Sequence, residues 1–173
     1  MGAVEEDRAF SSEQQSGLQA RREDQDRTLE AMHHLEAALS DAAPGREASW
    51  RQSVFATLLV LEAATDEEAA NAKRPDSLLS DLARTQPRLR NRARALRIQY
   101  DRLRETISST RREIEEHQES GADFSDLRQR LGWVLTALRH QRARESDLIY
   151  EAYFEAFNEE LRTHPWPGEE TTS

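Results

Sequence analysis

The chain has 173 residues, of which 36% are hydrophobic and 33% charged, and a net charge of −9. That length suits one domain with a core of its own, and a composition rich in Ala, Leu, Glu and Arg, with six Gly and five Pro, favours long helices over strands. Negative charge opposes docking on a phosphate backbone, so the run Arg84, Arg88, Arg90, Arg92, Arg94 and Arg97 reads as a solvated helix face, and no nucleic-acid partner is expected.

With no cysteine, disulfides, zinc–thiolate sites, iron–sulfur clusters and a thiol nucleophile are all excluded. Met1 to Arg8 is acidic and lacks the apolar core of a signal peptide, and no run reaches the length of a membrane span. The expected setting is the cytoplasm, away from membranes. Residues 1–12 and 164–173 are polar and are expected to be disordered ends, which leaves 13–163 as a single helical domain.

Breakers divide that domain into four helical segments: Pro44-Gly45, the polar stretch from Asp66 to Pro75, and Gly121 in Glu119-Ser120-Gly121-Ala122. The first helix, about Glu13 to Ser40, carries Leu18, Leu29, Met32, Leu35 and Leu39 at helical spacing, with His33 and Glu36 beside them. The second, about Arg46 to Thr65, repeats Trp50, Val54, Leu58 and Leu61, with Glu62 at the edge of that stripe. The third starts near Ser77, is expected to kink or break at Pro87, where the helical N–H donor is missing, and runs on through Leu96, Tyr100, Leu103, Ile107 and Ile114. Its Tyr100 is expected to point inward and to hydrogen-bond a core carboxylate or histidine, because an unpaired buried phenol costs roughly 1–3 kcal/mol.

The fourth helix is capped by Asp123 or Ser125 and presents Leu127, Leu131, Val134, Leu135 and Leu138 on one face. Its later aromatics, Tyr150, Tyr153, Phe154 and Phe157, fall about 100° around from that stripe. Either a π-type insertion between about Arg139 and Tyr150 brings them into line, or they pack on another partner, such as a second subunit. Four long helices with short connections make an all-α, antiparallel up-down four-helix bundle. No internal repeat stands out, and no heptad pattern is sustained enough to mark a coiled coil.

Inward polar residues of a bundle are where ligands for a metal converge, and here they are His33, Glu36, Glu62, Tyr100, His140 and Glu145, each of a type that ligates iron. His140 stands five residues before Glu145, and this segment resembles the last helix of hemerythrin-like proteins, whose four-helix bundle surrounds a di-iron centre. Met32-His33-His34-Leu35-Glu36 looks like the first-helix histidine region of that family, Leu96-Arg97-Ile98-Gln99-Tyr100 like its third helix, and Glu145 to Ala152 like the E-x-D-L-x-x-E-A run of bacterial members.

The chain departs from the family between His34 and His117, where it has no histidine. Leu58 stands where the second helix would place one four before Glu62, and Tyr100 where the third would place another. The resemblance therefore implies a divergent member whose di-iron, oxygen-binding centre is depleted or lost, holding no cofactor and acting as a binding or structural module. A rival reading keeps a non-standard iron site on the six residues above, used for sensing oxygen, nitric oxide or iron. Another makes the chain an interaction protein that forms a homodimer through Trp133, Tyr150, Phe154 and Phe157. No small-molecule ligand is named by any motif, and catalysis is not expected: no nucleophile, oxyanion site or phosphate loop accompanies Glu62 and Glu145.

Overall fold

The computed structural model describes residues 9–41, 44–116 and 124–163, which form five α-helices and no strand. Helix α1 spans Ser12–Ser40, α2 Glu47–Ala72, α3 Leu78–Thr85, α4 Arg90–Glu116 and α5 Phe124–Thr163, and a single 3-10 turn, Pro87–Leu89, joins α3 to α4. Of the sequence expectations, those on residues 1–8 and 164–173, on His117, on the breaker Glu119 to Ala122 and on Asp123 as a cap lie outside the described residues.

Local chemistry sets each boundary. At the start of α1 the Ser11 hydroxyl accepts from the Gln14 N–H while the Gln14 side chain accepts from the Ser11 N–H, both at 3.1 Å, a reciprocal cap. Gly45 turns the chain into α2 with a φ of 74°, which disfavours a Cβ, and its N–H donates to the Glu47 carboxylate at 3.0 Å. Helix α2 then runs seven residues past the expected end at Thr65, because Asp66 to Ala72 is polar but rich in Glu and Ala, both good helix formers. Ser77 caps α3 by accepting from the Ser80 N–H at 3.2 Å. The expected interruption is present, with α3 ending at Thr85 and Pro87 opening the 3-10 turn. Helix α5 begins at Phe124, so Ser125 lies inside its first turn.

Side-chain pairs show that the long helices run antiparallel in succession. Asp24 and Thr28 on α1 meet Asn71 and Glu68 on α2, and Glu62 and Asp66 on α2 meet Arg111 and Arg104 on α4. Glu113 and Gln99 on α4 meet Arg130 and Arg144 on α5, and α5 closes the ring through Arg139 with Glu36 and Glu145 with Arg21. In each pair, residues later on one helix meet residues earlier on the other.

Two apolar clusters fill the interior. Met32, Leu35, Leu58, Leu61, Ile107 and Leu131 are among those at one end, and Phe10, Leu18, Leu82, Leu148, Ile149 and Tyr153 among those at the other. Arg21, Asp24, Thr65, Glu68, Gln141 and Glu145 are also buried, and in sequence they fall between residues of the two clusters. Phe10 rests on the rings of Tyr153 and Phe157, with centroids 5.6 and 5.0 Å away.

Helix α5 is α-helical from Arg139 to Tyr150, so the π-type insertion is absent there. Its inward stripe continues in register from Leu138 through Gln141 and Glu145 to Leu148 and Ile149. The backbone departs from helical geometry further on, at Tyr153, with φ −119° and ψ 21°. Tyr153 is buried in the second cluster, while Tyr150 and Phe154 remain exposed and Phe157 half-buried.

Candidate functional site

On α1 the stripe of inward positions passes from Leu18 to Met32 through Arg21, Asp24 and Thr28; on α2 it passes beyond Leu61 through Thr65 and Glu68; on α5 it crosses Gln141 and Glu145. Helical spacing of three and four thus delivers polar side chains from three helices, and Tyr100 from α4, into the interior. Arg21 is the centre of this belt, 7% exposed, with Glu68 and Glu145 at 2% and 4%.

The Arg21 guanidinium is a fork fitted to carboxylates. Its Nε donates to Glu145 Oε1 at 2.6 Å, and its Nη2 donates both to Glu145 Oε2 and to Glu68 Oε1, the latter at 2.8 Å. The other Glu68 oxygen accepts the Tyr100 hydroxyl at 2.8 Å and the Thr28 hydroxyl. Beside them the Gln141 amide donates to the Leu96 carbonyl at 2.8 Å, and the Asn71 amide donates to Asp24. A cleft of about 30 Å³, with room for a water molecule, is lined by Arg21, Arg97, Tyr100, Gln141 and Glu145 among others. Arg21 Nη1, Arg97 Nε and Gln141 Oε1 have no hydrogen-bond partner within the protein. A wider groove of about 740 Å³ lies outside it, between the start of α1, the end of α2 and α3. Two of that groove's arginines are already paired, Arg74 with Asp76 and Arg84 with Asp81.

Burial opposes the charge of Arg21, but Glu145 foremost, and then Glu68, more than offset it and raise its pKa. Burial, and next the Glu68 carboxylate, push the Tyr100 phenol well above its usual range. Both groups keep their protons near neutral pH, so the belt binds its carboxylates with fixed donors. Its chemistry is that of an internal ion cluster.

The six residues singled out in the sequence are distributed as follows. Tyr100 and Glu145 belong to the belt and line the same small cleft, and Tyr100 makes the expected hydrogen bond to a core carboxylate. Glu62 is half-buried and paired with Arg111 on α4. His33, Glu36 and His140 are exposed, and Glu36 pairs with Arg139 at 2.7 Å. Among the described residues no three His, Asp or Glu side chains are grouped as a metal ion requires. Arg21, Asp24, Thr28, Thr65, Glu68 and Gln141 are the members that sequence reasoning missed. Their signal was a gap: between Leu18 and Met32, beyond Leu61 and after Leu138, the helical stripe continues with polar residues at the same spacing.

Comparison with protein-family models, with curated proteins and with solved structures finds no match for this chain.

Proposed function

We propose that the chain is a divergent hemerythrin-like four-helix bundle, built from α1, α2, α4 and α5, that works without a metal centre as a structural or binding module. One observation carries the reading: the buried carboxylates of α2 and α5 are both held by the guanidinium of Arg21. A metal ion would compete with that guanidinium for the same oxygens, and the nearest phenol is held in its protonated, non-ligating form. His33 and His140, the imidazoles an iron site would draw on, are exposed. The residues present therefore do not fit a di-iron centre, and Arg21 supplies the positive charge that the carboxylates need.

The test is metal analysis of the full chain purified after growth with added iron. The expected result is iron far below stoichiometry, no absorption from an oxo-bridged pair, and a thermal midpoint unchanged by a chelator. Stoichiometric di-iron would overturn the proposal.

A further inference from the structure

Three buried atoms of the polar region, Arg21 Nη1, Arg97 Nε and Gln141 Oε1, have no partner within the protein, and all three belong to residues that line the cleft beside Tyr100. Arg21 and Gln141 are only 7% and 3% exposed, so bulk solvent does not serve these groups as it serves a surface side chain. We propose that the cleft is a binding site for one small neutral molecule that accepts two hydrogen bonds and donates one, and that this molecule is a water joining α1, α4 and α5.

The bonds already made fix what each group has left to offer. On the Arg21 fork, Nε and Nη2 are taken by Glu145 and Glu68, so the two N–H groups of Nη1, away from the Nε edge, remain as donors. Arg97 uses Nη2 on the Ala72 carbonyl and the Ser80 hydroxyl, both at 3.3 Å, which leaves its Nε–H. The Gln141 amide is held in one orientation. Its Nε2 donates to the Leu96 carbonyl at 2.8 Å, and turning the amide round would set oxygen against oxygen there. Its Oε1 is therefore an acceptor, and the site presents two cationic donors and one neutral acceptor.

Charge and size select water. Among the lining residues Arg21, Lys73 and Arg97 stand against Asp101 and Glu145, and Glu68, bonded to Arg21, evens the count. An anion would gain the guanidinium donors but meet the Gln141 oxygen, with the Glu145 carboxylate lining the same cleft; a cation would gain that oxygen but meet two guanidiniums. A water meets neither conflict, because its lone pairs accept from both arginines while one hydrogen donates to Gln141. Three hydrogen bonds is the usual number for an internal water, and about 30 Å³ accommodates one. Bound there, it ties Arg97, whose other acceptors are uncharged, to the ion cluster around Arg21.

A crystal structure of the full chain, grown with bromide in place of chloride, tests the site. One peak is expected within about 2.7–3.2 Å of all three atoms, without anomalous signal. In Gln141→Met, which keeps the length of the side chain and removes the acceptor, that peak should be lost while the pairing of Arg21 with Glu145 persists. In solution the Arg97 Nε–H should cross-relax with a long-lived water in a rotating-frame experiment, which separates this from proton exchange; both readouts of the parent chain stand without the variant. An anomalous bromide peak at the site overturns the water in favour of an anion. A parent structure with no peak, or with the three atoms turned to protein partners, overturns the site itself, as does the absence of the cross-peak. A peak unchanged in Gln141→Met overturns the three-bond arrangement.

Discussion

Arg21 ties together the two buried carboxylates of Glu68 and Glu145. Arg21→Met leaves Glu68 and Glu145 buried and uncompensated, a loss of about 3–5 kcal/mol, visible as a lower urea midpoint. The triple variant Arg21→Met, Glu68→Gln, Glu145→Met removes the charges together and leaves an acceptor for the Tyr100 and Thr28 hydroxyls. It should recover most of that loss, since replacing a whole buried ion cluster by neutral groups is often harmless. A single variant as stable as the parent would show that the cluster contributes nothing to folding.

Tyr100 sets a limit at alkaline pH. Burial, and then Glu68, raise its folded pKa above the unfolded value of about 10. A raised phenol stabilises the fold below the unfolded pKa, and that contribution is lost as pH climbs above it. Stability should therefore fall above about pH 10, by up to about 1.4 kcal/mol per pH unit for this phenol. Tyr153, raised by burial and by its hydrogen bond to Asp81, adds to the slope. Tyr100→Phe should flatten the decline while lowering stability at neutral pH by roughly 1.5–3 kcal/mol, the worth of a hydrogen bond to a charged group. Chemical denaturation across alkaline pH reads both effects.

At the level of helices, the sequence was legible wherever periodicity was apolar. The face of α2 from Trp50 to Leu61, the start of α1 and the break at Pro87 all follow from spacing, capping and proline chemistry. The end of α2 was not, because a polar stretch of good helix formers looks the same in a connector and in a helix until a partner buries one side of it. Glu68 was lost with that stretch. Helix α5 was misread differently: its outward aromatics stood out in the sequence, while the inward stripe that bypasses them holds Gln141 and Glu145 and lacked the apolar contrast that marks a core face.

Two glycines inside helices give a further check at this scale. A Cβ on Gly132 meets nothing within 4 Å, and one on Gly17 meets Leu78 no closer than 3.6 Å, an ordinary contact. Helix α1 and helix α5 have no turn at these positions that needs glycine. Gly17→Ala and Gly132→Ala should each stabilise the protein by about 0.5–1 kcal/mol, seen as additive increases in the thermal midpoint.

For the molecule as a whole, helix class was written in composition, whereas the polar belt was not, because it is a property of three helices read side by side. Arg21, Glu68 and Glu145 lie up to 124 positions apart in the chain, and each alone is indistinguishable from a solvated charge. Only their burial separates them from the other ion pairs that cover the surface. No helix of the described residues is long and apolar enough to cross a membrane, in line with charged outer faces on every long helix.

The contact of Phe10 with Tyr153 and Phe157 has a consequence for chain order. It brings a residue ahead of α1 against the closing turns of α5, so a short peptide can bridge residue 10 to the end of α5 at Thr163. The turn at Gly45, by contrast, is exposed, and a Cβ there would meet no other atom within 4 Å. A circularly permuted chain, joined at the first place and opened at the second, keeps every interhelical pairing described above while reading the helices in the order α2, α3, α4, α5, α1. The architecture is a closed ring of neighbours, and where along that ring the polypeptide starts is immaterial to how it packs.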